Sequence, residues 1–400
     1  MELFLAEHKK MWKKRSTRIC ALLCFAYIFI AVNILSFQWI SFGSYKDGFG
    51  NHFDGYSQIR NKQAYGEKWK GELTDQVLQQ MIKDYQRMLK NEEMDSVWAA
   101  DWSNINNWLR TLYPELMAKN SYELMIDYID PYQITGFYER RQEKIGEFLD
   151  NNGQTGDEKA FLLQMNSKVK IPFSYEWSEG WNFILCAVIP NTETVIEIFI
   201  AIVLSTIFAG EWHDNTSTFI LTTKKGWREL AYAKIWTGIS FVFEMFLVLL
   251  LGNIVTQIFF LGTHGWNMPV QFIKMLAVAP LNMLQTEVYQ YIYILFGAIG
   301  FAGEIMLVSS IVKNNFISVL IGIALLYLPS VISGYLPMWA QKGLDLLPLA
   351  GDSLDIFRTN TFHIFGKYVW SPYLLIAVPV LIGVLCMPFT VKCWSRRLRD

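Results

Sequence analysis

Long uncharged apolar runs alternate with short polar stretches over the second half of the chain, and one more stands near its start. A helix crossing the hydrocarbon core of a bilayer needs about 20 mostly apolar residues, because every backbone amide has to be bonded within the segment. Ile19 to Ile40, Ile235 to Leu261, Tyr289 to Val312, Phe316 to Trp339 and Val369 to Val391 meet this requirement with at most one charge each. A shorter run, Val195 to Gly210, makes a sixth. Just before it, Trp181 to Ile189 is apolar and is followed by Pro190, which predicts an interfacial helix on the outer surface that ends at the proline. The first run is too long for the apolar part of a signal peptide and no small-residue cleavage site follows it, so it reads as a span.

The pattern is different from Ser41 to Gly180. Thr74 can cap a helix to about Lys90, with Val77, Leu78, Met81, Ile82, Tyr85, Met88 and Leu89 on one stripe of helical period. A second helical pattern runs from Thr135 to Leu149. Between them stand Trp98, Trp102 and Trp108, which read as core filling in preference to a ligand-stacking platform, since buried aromatics mostly pack. The expected fold is all-α: six transmembrane helices and a helical insert. Residues 1–40 form a leading helix and first span, 41–180 the insert, and 181–400 the interfacial helix and remaining spans.

Composition agrees with lipid as the solvent: 52% of the 400 residues are hydrophobic, and the mean hydropathy of +0.21 is too high for an ordinary soluble chain of this length. The net charge of −1 says little as a sum, because the basic residues are clustered. Lys9, Lys10, Lys13, Lys14, Arg15 and Arg18 precede the first run; Lys224, Lys225, Arg228 and Lys234 follow the second. Lys313 separates the fourth from the fifth, and Lys392, Arg396, Arg397 and Arg399 close the chain. Cytoplasmic loops carry the excess of Lys and Arg, so an even number of spans with both termini in the cytoplasm is expected, in the cell membrane, with the insert outside. The cysteines Cys20, Cys24, Cys186, Cys386 and Cys393 lie in or beside apolar stretches and form no secreted disulfide framework.

No phosphate-binding loop, zinc-protease helix, nucleophile elbow or dinucleotide fingerprint stands in a suitable context. No catalytic residue, metal, cofactor or nucleic acid is therefore assigned to the chain, and any energy source is expected on another polypeptide. Cys20 and Cys24 share a helix face but lack a third ligand, and His8, His52, His213, His264 and His363 show no ligand spacing. Three carboxylates fall inside apolar runs: Glu197, Glu244 and Glu304. A charge at bilayer depth costs at least about 2.5 kcal/mol and marks either an interior contact or a function. Glu244 lies ten residues after Lys234 and Glu304 nine before Lys313, which at about 1.5 Å per residue puts both roughly 14 Å from the basic ends. A structural hydrogen bond to a neighbouring helix and a substrate-path or proton-linked role are both open.

The stretch from Glu211 to Lys234 is too amphipathic for a plain loop. Phe219, Ile220 and Leu221 form an apolar knob between polar flanks, fit either for a groove on a cytoplasmic partner or for the inner leaflet. Glu211, Trp212, Thr216, Phe219, Ile220, Leu221, Thr222, Thr223, Arg228 and Lys234 stand in the order of the coupling segment of type-2 permeases of ATP-binding-cassette exporters, which the chain resembles. Asn215 and Trp227 depart from that pattern. Glu7-x-Lys9-Lys10 looks like the family's amphipathic leading helix. Phe137-Tyr138-Glu139-Arg140-Arg141, and Ile171-Pro172-Phe173 before Gly180-Trp181, look like a Firmicute subgroup with a large outer loop. The resemblance implies a permease that pairs with a second copy or a homologue. It would export a peptide, antibiotic or lipid-like molecule using a separate subunit that binds ATP and Mg. Two rival readings need no ATPase: a membrane-anchored sensor or immunity protein that captures a peptide with its insert, and a proton-coupled transporter.

Overall fold

The computed structural model describes residues 1–34, 45–46, 52–53, 55–90, 102–117, 124–177, 179–214, 216, 220 and 227–397. Among these, five helices are long and apolar enough to cross a membrane: Glu179–His213, Arg228–Leu261, Met283–Ile311, Asn315–Ser333 and Ser371–Arg396. The run expected as a first span is helical from Arg15 to Ile34, and its remainder lies outside the described residues. It packs along the Arg228–Thr256 helix, where Ile28 and Phe29 press on Gly252. The protein is mostly helical, but not purely so. Among the described residues, three two-stranded antiparallel ribbons join Tyr45–Lys46 to His52–Phe53, Gly71–Leu73 to Phe173–Tyr175, and Thr361–Ile364 to Lys367–Trp370. Strands of two to four residues carry no readable alternation, which is why the sequence pattern predicts helices alone.

Met283–Ile311 is the axis of the bundle. Asn282 caps it, accepting from the Gln285 amide at 2.8 Å while the Gln285 side chain accepts from the Asn282 amide at 3.0 Å. Its longest contact is with the Ser371–Arg397 helix. A Cβ on Gly300 would stand 2.4 Å from the Pro379 carbonyl oxygen, and one on Gly303 would stand 2.6 Å from the Gly383 Cα, so the two backbones meet where side chains are missing.

The expected break at Pro190 does not occur. The helix that begins at Glu179 passes through a π turn, Ile184–Val188, and continues as Ile189–Leu204. A proline lacks the N–H owed to the fourth carbonyl back and crowds it; a π turn, bonding one residue further, relieves both. Asn191 Nδ2 and Thr192 Oγ1 then donate to the carbonyls of Ala187 and Val188, at 2.8 and 3.0 Å. Near its other end this helix is interrupted again at Ser205, before Thr206–His213. The buried hydroxyl of Ser309, on the axial helix, repairs the gap: it donates to the Ser205 carbonyl at 2.7 Å and accepts from the Phe208 and Ala209 amides, each at 3.1 Å.

In the insert, Asp75–Lys90 forms where the apolar stripe predicts it, with the Val77 amide on Thr74 Oγ1 and with Leu78, Met81, Ile82, Tyr85 and Met88 buried. The second predicted helix is Phe137–Asn151, burying Phe137, Arg141, Ile145 and Leu149. The Asp75 carboxylate caps its start, taking the Gly136 and Phe137 amides at 2.7 and 3.1 Å. Gly136 has φ +67°, a left-handed conformation that a side chain would strain. Trp98 lies outside the described residues and Trp102 opens the helix Trp102–Leu112. Trp108 is core: its indole donates to the Phe272 carbonyl at 2.9 Å and its ring packs 5.0 Å from the Phe272 ring.

Phe272 shows that the insert is not closed on itself. It belongs to the segment linking Leu261 to Met283, yet Phe173 and Tyr175 meet it edge-on at 5.5 and 5.6 Å. Arg141, 3% exposed, reinforces the joint by donating to the carbonyls of Met275 and Ala277, each at 2.9 Å. Burial pushes this guanidinium down to about 10, so it remains charged at neutral pH. Gln154 also donates to a carbonyl, that of Thr359, and Glu158 accepts from the Thr361 hydroxyl, both between the last two spans. The insert therefore caps one end of the bundle, opposite Lys313 and the described C-terminal residues. Replacing Arg141 with Met should cost about 3 kcal/mol by stranding two buried carbonyls and removing the charged donor. Hydrogen exchange should show residues 270–282 losing protection while the axial helix keeps its own; unchanged protection at 270–282 would count against this joint.

Candidate coupling site

The other end of the bundle holds a buried charge cluster. The amphipathic helix Glu2–Lys13 ends at Lys14, whose extended backbone separates it from the helix that follows. It lies against the start of the Arg228–Thr256 helix and brings Glu7 and Lys10 beside the last turns of Thr206–His213. Lys234, 1% exposed, has three donors and uses all of them. They reach Glu7 Oε2 and Glu211 Oε1, both at 2.7 Å, and the Ile207 carbonyl at 3.1 Å. Glu211, 4% exposed, takes Lys10 Nζ at 2.5 Å on the same oxygen and the Thr216 hydroxyl on the other.

Two carboxylates thus face two ammonium groups, which balances the charge that burial would otherwise penalise. The Thr216 amide also donates to the Glu211 carbonyl at 3.0 Å, folding the chain back at the end of its helix. Lys14 stands at the rim; burial, then the neighbouring Lys234 charge, lowers its pKa from the ordinary lysine value. About 20 Å³ of free space remains among these groups, no more than a water needs, so the arrangement is a joint and not a ligand pocket.

Of the residues singled out from the sequence, Glu211 and Thr216 belong to this joint. Ile220 is half-buried against the core and its amide donates to the Thr216 carbonyl at 3.2 Å. Phe219 and Leu221 lie outside the described residues. Arg228 opens its helix, exposed, and forms no ion pair among the described residues. No known family profile, curated protein or solved structure matches the chain. What the site does must therefore be argued from its own geometry.

The intramembrane carboxylates are dispersed. Glu244 is taken up by the N-terminal helix: His8 Nε2 lies 2.5 Å from one oxygen, Trp12 Nε1 donates to the other at 2.8 Å, and Ser240 adds a bond at 3.1 Å. Glu304 is half-buried on the axial helix and makes no hydrogen bond among the described residues. No hydrogen bond joins Glu244 to Glu304, and the two have different surroundings. Glu197 is buried on the Ile189–Leu204 helix, one turn after Glu193. The sequence reading missed Glu193 because the expected break at Pro190 placed it before the span. It missed Glu287, also buried, because the axial helix begins six residues earlier than its most apolar run. It also missed Glu7 as a partner of Lys234, although a Glu just before the lysines of a leading helix was a usable signal.

Removing one member of a buried ion pair while leaving the other costs about 3–5 kcal/mol. Lys234→Met should accordingly lower the thermal unfolding temperature of the detergent-purified protein, and adding Glu211→Gln should recover part of the loss. A single variant that melts with the parent would show that the pair carries no such energy.

Proposed function

We propose that this chain is the transmembrane permease subunit of an ATP-binding-cassette transporter, powered by a separate cytoplasmic ATPase. The observation that carries the reading is the buried joint at Glu211 and Lys234. Glu211 and Lys234, which bound the segment, are held directly to each other, and the N-terminal helix is held to the same pair. A push on such a segment reaches two membrane helices and the leading helix together, which a surface-lying loop would not achieve. The segment faces the cytoplasm, the ATPase takes Phe219, Ile220 and Leu221 into a groove, and the permease pairs with a second copy or a homologue. The chain works as an exporter for a peptide, antibiotic or lipid-like molecule, and ATP and Mg sit on the partner. Its ends lie inside the cell and the insert outside.

Truncating a well-buried interface anchor commonly costs about 2 kcal/mol, roughly thirtyfold in affinity. Alanine at Phe219, Ile220 and Leu221 together should abolish co-purification of a co-expressed ATPase and substrate-stimulated hydrolysis, while the protein still inserts in the membrane. Retention of both would make the segment a membrane-surface element and sink the coupling role. Sidedness is checked separately with membrane-impermeant thiol reagents in a chain whose own cysteines are replaced. Cysteine at Lys119 should label in intact cells and cysteine at Lys225 only after permeabilisation; the reverse order would invert the topology.

A further inference from the structure

Where the helix Trp102–Leu112 crosses the segment that links Leu261 to Met283, the insert and the bundle leave a groove of about 600 Å³. Trp108, Phe148, Leu276 and Phe357 give it apolar walls, and Trp108 is fixed there by its bond to the Phe272 carbonyl. Among the described residues that line it, two are charged, Arg110 and Lys274, and both are cations. Both are exposed, and neither side chain has an ion pair or hydrogen bond among the described residues. Arg141 lies behind the wall with its guanidinium committed to the carbonyls of Met275 and Ala277, adding positive charge without entering the groove. Among the described residues no carboxylate lines it.

A pocket of this volume is in the ordinary range for small-molecule sites. Its lining asks for a ligand with hydrocarbon on one part and negative charge on the other. Its position narrows the choice. Phe357 lies between the last two spans and Lys274 and Leu276 between two others, so the groove stands at the foot of the insert, beside the ends of helices long and apolar enough to cross a membrane, the level at which a spanning helix meets headgroups. We infer that this groove binds an anionic lipid of the adjacent leaflet, its chain along Trp108, Phe148 and Phe357 and its headgroup on Arg110 and Lys274. The inference does not rest on the permease reading, since what it concerns is binding and not transport.

The test uses the full chain in phosphatidylcholine nanodiscs and a lysophosphatidylglycerol carrying a photoreactive group in its acyl chain, with the labelled peptides mapped by mass spectrometry. Labelling is expected within 107–117 or 272–277, competed by unlabelled lysophosphatidylglycerol but not by lysophosphatidylcholine or inorganic phosphate. Each headgroup contact to a cation is worth about tenfold in affinity, so Arg110→Gln with Lys274→Gln should reduce labelling by at least that factor. Arg110→Lys, which keeps the charge, should retain most of it and guards against a folding defect in the double variant. Equal competition by lysophosphatidylcholine, or labelling unaffected by the double variant, would overturn charge recognition. Competition by phosphate alone would reduce the groove to an anion site, and competition by an acidic lipopeptide but not by lysophosphatidylglycerol would replace the lipid with a peptide; either result overturns the proposal.

Discussion

A lysine ammonium enclosed at the end of an apolar bundle must have every proton bonded and its charge matched, and Lys234 imposes that condition on the rest of this end. Its three acceptors come from the N-terminal helix, from the end of the Glu179–His213 helix and from that helix's own backbone at Ile207. These acceptors are 23 to 227 residues away from Lys234 along the chain. None can leave without exposing an unmatched charge to an apolar surround, so the leading helix is held to the bundle by electrostatics as much as by its apolar face. Glu244 repeats the arrangement further along the same helix, where His8 and Trp12 converge on one carboxylate. The N-terminal helix is thus pinned twice to the Arg228–Thr256 helix, once through the acid of Glu7 and once through the imidazole of His8 and the indole of Trp12.

The opposite end is organised by backbone acceptors and aromatic edges. Arg141 and Trp108 both donate to carbonyls of the segment between two spans, and Phe272 of that segment fills the centre of the insert's aromatic cluster. The insert borrows a core residue from the bundle and pays with a buried cation. Its folding and the seating of that loop are consequently one event, and the insert is a cap built on the spans more than an appended domain.

Five of the six expected spans match helices long and apolar enough to cross a membrane, because hydropathy over twenty residues is a strong signal that no neighbouring element can reverse. The helices at Asp75–Lys90 and Phe137–Asn151 were legible because their apolar stripes face one core. Other features depend on partners far along the chain. Pro190 reads as a stop in isolation, and only the π turn before it and the side chains of Asn191 and Thr192 make it harmless. Glu211 was legible as the start of an amphipathic segment, but the identity of its cations was not, since Lys10 lies 201 residues away and Lys234 looked like an ordinary basic flank. Phe272 carries no periodicity of its own, so its place in the insert core could not be foreseen. Glu304 was found by its position in an apolar run, yet the same rule passed over Glu193 and Glu287, which stand nearer the polar ends.

The hydroxyl of Ser309 has a mechanical meaning. The eight-residue piece that carries Glu211 is spliced to the remainder of its helix at Ser205, and the splice is made by an oxygen on a different helix. Sliding the axial helix by a fraction of a turn would pull that oxygen out of register with three backbone groups at once. Glu211 therefore takes its bearing from the axial helix and not from its own, much as a hinge leaf follows the post to which it is screwed.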